Sequence, residues 1–157
     1  MTSAGPPSPS QPASSNRDQI LDQLSYLLDE LEAERPWLMR IPQVQIEAKP
    51  MDSAPSLLEM YVEMARKEWS VHVSELGGAT APDASMESLS SVIDSIQLGR
   101  RNVIEHLQGI SSFEWDDSKN RSQEFISRFS FQITQSDGTF LKAIAERLHE
   151  SVIKFNS

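Results

Sequence analysis

Apolar residues recur at three- and four-residue spacing along most of this chain, the signature of amphipathic helices. Ile20, Leu24, Leu27, Leu28 and Leu31 form one stripe, predicting a first helix from about Arg17 to Glu34, with Ser15 and Asp18 in capping-box-like spacing and Pro36 ending it. A linker to Ala54 follows, punctuated by Pro42 and Pro50. Its Ile41, Val44 and Ile46 are expected to cover one end of the core, and the alternation of Val44 and Ile46 also admits a short extended piece. Pro55 suits a first helical position and opens a second helix running to Leu76, stopped by Gly77-Gly78, with Leu57, Leu58, Tyr61, Met64, Ala65 and Trp69 on its apolar face. Leu89, Val92, Ile93, Ile96, Val103, Ile104 and Leu107 mark a third helix from about Met86 to Gln108, ended by Gly109. After a polar loop with Trp115, Asp116 and Asp117, a fourth helix is predicted from about Ser122 to Lys154. Its stripe is Ile126, Phe129, Ile133, Phe140, Ile144, Leu148 and Val152. The expected fold is all-α, a four-helix bundle, and no internal repeat is seen.

Residues 1–15 break this pattern. They carry no charge and hold Pro6, Pro7, Pro9 and Pro12 among five serines. Such a segment cannot bury apolar surface, so it reads as a disordered tail rather than a signal peptide, and the expected location is the cytoplasm. The domains are then a tail, 1–15, and a bundle, 16–157. All of the net charge of −9, from 23 acidic against 14 basic residues, sits on the body. An acidic chain lacks the basic face that a phosphate backbone needs, so no nucleic-acid partner is expected. No apolar run approaches the roughly 18 residues of a membrane span, so no membrane partner is expected either. The absence of cysteine excludes disulfides, thiolate nucleophiles and cysteine-based metal sites.

Within the fourth helix the stripe fails between Ile133 and Phe140. Ser136 and Asp137 stand where core residues should fall, and Gly138 follows at a cost of about 1 kcal/mol relative to alanine. A kink or a break into two shorter helices is the favoured reading, and a polar pocket between helices is the other.

The segments Glu63–Trp69, Arg101–Asp116 and Ser136–Ile144 together resemble the DinB-like superfamily of bacterial four-helix bundles, over roughly residues 17 to 150. That resemblance implies an up-down-down-up order. It also implies a relationship to metal-dependent transferases that act with low-molecular-weight thiols. The positions resembling the family's three metal-binding histidines carry Glu63, Ser136 and Phe140 here. A single carboxylate does not hold zinc or nickel, which take three or more protein ligands. No metal and no cofactor are therefore expected, and Asp137 offers a second carboxylate only if the register slips by one residue.

His72, His106 and His149 lie near the ends of the second, third and fourth helices. In the up-down-down-up order the first two share an end and His149 is opposite, so each reads as a surface or helix-end residue. Gly99-Arg100-Arg101 is a short basic spot expected to pair with acids on neighbouring helices. Glu59, Glu63, Arg66, Lys67 and Glu68 read as a mixed, mostly solvated face. Glu63 and Glu68 are about 500° apart on a helix, so one carboxylate is expected outside. The tryptophans Trp37, Trp69 and Trp115 read as core or loop anchors, and the run Asp29, Glu30, Glu32 and Glu34 as a solvated face. The leading expectation is a non-catalytic binding module with a pocket near Glu63, Gln132, Ser136, Asp137 and Phe140. A small molecule and a second copy of the chain, forming a homodimer, are the candidate partners. The alternative is a metal-dependent or diverged transferase or hydrolase acting with such thiols, the diverged form using Glu63 or Asp137 as its base.

Overall fold

The computed structural model describes residues 16–77, 88–110 and 121–156, with side chains over 17–77, 88–110 and 124–149. Among the described residues there is no strand, and the fold is all-α. Helix α1 spans Asn16–Leu38, α2 Gln43–Glu47 and α3 Leu57–Lys67, the last running on into a π-helical segment, Glu68–Val73. Helix α4 spans Leu89–Gln108 and α5 Arg121–Asn156. The expected tail, the Ser15 cap, the Met86 helix start, Gly78 and the Trp115 loop lie outside the described residues. No helix among the described residues is long and apolar enough to cross a membrane.

Pro36 does not end the first helix, which continues through it to Leu38. A proline in the last turn forfeits one amide bond, whereas Leu38 is fully buried and Met39 still donates to the Arg35 carbonyl at 3.0 Å. In the linker, the extended piece gives way to α2. Ile46 is buried there, Ile41 packs beside it, and Val44 points outward at 74% exposure. The second helix starts at Leu57, two residues beyond Pro55, with Ser56 as its N-cap. Ser56 accepts from the Glu59 amide at 3.0 Å while the Glu59 carboxylate accepts from the Ser56 amide at 2.8 Å. This reciprocal cap is the Ser-x-x-Glu pattern legible at 56–59. At the other end Gly77 adopts φ 70°, a conformation that glycine takes without strain.

The π-helical segment has a sequence cause. Leu57, Tyr61, Ala65, Trp69 and Val73 are all buried at strict four-residue spacing. On an α-helix each such step drifts about 40°, so four steps would carry Val73 about 160° off the core face. Widening to i→i+5 hydrogen bonds over the last turn reduces that drift. It keeps Glu68, Trp69, His72 and Val73 all turned inward.

Helix α5 runs unbroken through Ser136-Asp137-Gly138, which corrects the expected break into two shorter helices. Asp137 is the inward residue, Ser136 is half-buried, and Gly138 is exposed with open space around it. The roughly 1 kcal/mol that glycine costs a helix is small beside the anchoring of Ile133 and Ile144, both fully buried on either side.

Among the described residues, two hydrophobic cores hold the helices. One joins Leu27, Leu31 and Leu38 of α1 with Leu57–Ala65 residues of α3, Leu89–Ile96 residues of α4, and Ile144 and Leu148 of α5. The other joins Ile20 and Leu24 with Trp69 and Val73, Val103 and Leu107, and Ile126, Phe129 and Ile133. Between them lies a polar layer.

Candidate functional site

Arg100 is the centre of that layer and is completely buried. An uncompensated charge there would be prohibitive. Its Nε donates to Glu68 Oε2 at 2.7 Å and its Nη2 to Glu68 Oε1 at 2.9 Å. Toward α5, Nη1 and Nη2 donate to Asp137 Oδ2 and Oδ1 at 2.7 and 2.8 Å. Nη1 also donates to the Leu24 carbonyl of α1 at 3.0 Å. A guanidinium has five N–H donors, and all five are taken by protein. Arg100 therefore has no donor left for a ligand. The expectation that the basic spot pairs with neighbouring acids holds for Arg100, and Arg101 is exposed.

Glu68 and His72 correct the sequence reading most. Glu68 belongs to no solvated face: it is fully buried. His72 is no surface histidine. It is 3% exposed, its Nδ1 lies 2.6 Å from Glu68 Oε1, and its ring meets Phe129 edge-on at 6.3 Å. Because a carboxylate only accepts, Nδ1 carries the proton. His106 and His149 are exposed as expected. Gly99 makes the layer possible. A Cβ there would sit 2.8 Å from Glu68 Cγ and 3.2 Å from Trp69 ring atoms. The Trp69 indole is in turn pinned by donation to the Ser95 carbonyl and hydroxyl at 3.0 and 3.1 Å.

Two carboxylates share one guanidinium, so they titrate apart. Burial works to raise the Glu68 pKa, but the His72 hydrogen bond and Arg100 outweigh it and hold the carboxyl below its usual range. Asp137 lacks the histidine hydrogen bond, and burial pushes it up against the pull of Arg100. An acid whose folded pKa is raised gives stability that is fully present below its unfolded pKa and is lost as pH rises through the folded value. A depressed acid such as Glu68 behaves oppositely, giving stability that is lost as pH falls through its folded value. Asp137→Asn removes only the first contribution. Urea midpoints measured from about pH 7 down to about pH 4, the window above an ordinary aspartate, are therefore expected to move in favour of the wild type relative to Asp137→Asn. A flat or opposite difference would refute the raised Asp137.

On the outer side, α3 with the π-helical segment and α5 form the walls of an open groove of about 900 Å³. Of the sequence-predicted pocket residues, Glu63, Gln132, Ser136 and Phe140 all line it. Asp137 does not. Both its oxygens face Arg100 behind the wall, the correct register rather than a slipped one. Glu63 is exposed and paired with Arg66 at 3.1 Å, so of the two carboxylates considered together Glu63 is the outer one. Arg66 and Lys67 give the groove two cations against the single Glu63 carboxylate. Met60, Met64 and Val71 add apolar surface, and Gln135 and Thr139 add polar surface. Trp69 is a core anchor, whereas Trp37 is 42% exposed and lines neither wall.

Elsewhere, Ser130 Oγ is buried without a bonded partner, and the buried Tyr61 hydroxyl and Glu34 Oε1 interact only with each other, loosely. Burial raises the pKa of both Glu34 and Tyr61, so Glu34 does not belong with the solvated acids of its run. Among the described residues no group of three or more histidine, cysteine, aspartate or glutamate side chains is arranged to hold a metal ion. Compared with family models, curated proteins and solved structures, the chain matches none.

Proposed function

We propose that this chain is a DinB-like four-helix bundle in up-down-down-up order, working as a non-catalytic module that binds an elongated amphipathic anion in the α3–α5 groove. The order is supported by the two cores. The C-terminal parts of α1 and α5 share one core with the N-terminal parts of α3 and α4, and the opposite ends share the other. The binding reading rests on one observation above all. The three positions that resemble the family's metal ligands, Glu63, Ser136 and Phe140, lie along a groove whose volume falls in the range of ligand sites.

Its open, lengthwise shape suits an extended ligand, and Arg66 with Lys67 favours a negative one in a chain of net charge −9. The transferase alternative is less well supported. The Asp137 oxygens are occupied by Arg100, and Glu63 is solvated beside a cation. Titration of isotope-labelled protein with decanoate, followed by amide chemical shifts, tests the proposal. Saturable shifts are expected at Met60, Lys67, Ser70, Gln132 and Gln135, with Lys67→Glu weakening binding about tenfold. No saturation, or shifts confined to other faces, would overturn it. So would stoichiometric zinc or nickel that is lost in Glu63→Ala.

A further inference from the structure

The walls of the groove are tied together from behind. On one wall, Lys67, Ser70 and Val71 face the groove while their neighbours Glu68 and His72 face inward. On the other, Gln135, Ser136 and Thr139 face the groove while Asp137 faces inward. Arg100 grips Glu68 at 2.7 and 2.9 Å and Asp137 at 2.7 and 2.8 Å, so one guanidinium holds both walls by their backs. The Leu24 carbonyl and the close approach at Gly99 hold Arg100 itself in place.

We infer that Arg100, acting through Glu68 and Asp137, is the positioning residue that sets the width of the α3–α5 groove without touching what binds there. The inference rests on that groove being the binding site. Two features suit a strut better than a generic core contact. A planar guanidinium engaged through paired bonds on both sides fixes orientation as well as distance. Each carboxylate also sits directly beside groove-lining residues in sequence, so a displacement at Glu68 or Asp137 is carried to the wall with no intervening joint. His72 adds to this by holding Glu68 on its remaining side, leaving the aspartate arm as the adjustable one.

A cysteine-free chain makes the test direct. Spin labels at Ser70→Cys and Gln132→Cys report the wall-to-wall distance by pulsed dipolar spectroscopy. Labels at Tyr26→Cys and Leu98→Cys, both on exposed positions of α1 and α4, report a distance away from the groove. Asp137→Glu keeps the charge but lengthens the strut by one methylene. It is expected to lengthen the mean groove distance by on the order of 1 Å. Asp137→Asn weakens one arm and is expected to broaden the distribution. The α1–α4 distance stays as in the wild type in both. Unchanged groove distances in both variants would overturn the inference, as would equal changes at the control pair. Loss of the fold in both would also overturn it, by placing the strut in general stability. No ligand enters this experiment, so a failure of decanoate to bind would count against the binding proposal alone.

Discussion

Arg100→Met is expected to lower the unfolding free energy by about 3–5 kcal/mol, because it leaves Glu68 and Asp137 buried without their counter-charge. It also strips the Leu24 carbonyl of its side-chain donor. A domain of this size holds about 5–15 kcal/mol in all, so urea unfolding should show a much earlier midpoint. A loss under about 1 kcal/mol would show that the layer adds little. The expectation reverses when the whole layer is exchanged. Replacing Glu68, Arg100 and Asp137 together by leucine or methionine should recover most of the loss, since desolvating three charged groups offsets most of their mutual attraction. The single and triple variants would then be strongly non-additive, as members of one network should be.

Gly99→Ala is the second large effect, and its sign decides between two rules. Helix propensity alone predicts a gain of about 1 kcal/mol for alanine. The structure predicts a loss instead. The new Cβ would come within 2.8 Å of Glu68 Cγ and 3.2 Å of the Trp69 ring. Neither neighbour can yield cheaply. Glu68 is held by Arg100 and His72, and Trp69 by Ser95. Overpacking of this kind costs about 1–3 kcal/mol, so a net destabilisation of up to about 2 kcal/mol is expected in thermal or urea unfolding. The same exchange at Gly138 meets nothing within 4 Å and should stabilise. Equal signs at the two glycines would contradict the packing described here.

Much of the helical framework was legible in advance. Leu24, Tyr61, Ile93 and Ile133 are fully buried where periodicity placed them, while Leu28, Leu58, Ile104 and Phe140 of the same stripes are half-buried. Four of the five candidate pocket residues share one groove: Gln132, Ser136 and Phe140 follow one another at four-residue spacing on α5, whereas their meeting with Glu63 of α3 depends on how the helices pack. The misreadings have a common origin. Glu68 and His72 looked solvated because charge type alone says surface. Both fall on the buried face, Glu68 four residues after buried Met64 and His72 four after that. That spacing was a visible signal. Asp137 looked like a defect in a helix because its partner lies 37 positions earlier.

By itself the amino-acid sequence determined where the four long helices form, that Gly109 ends the one before it, and that the body is acidic and without thiols. Those properties depend on residues within a turn or two of each other. Tertiary structure alone decided which polar groups go inside. Burying Arg100 is tolerable only when Glu68, Asp137 and the Leu24 carbonyl arrive together, 32, 37 and 76 positions away. No local pattern encodes that coincidence, since the cost of desolvating a charge is met by whichever groups the packed helices bring to it.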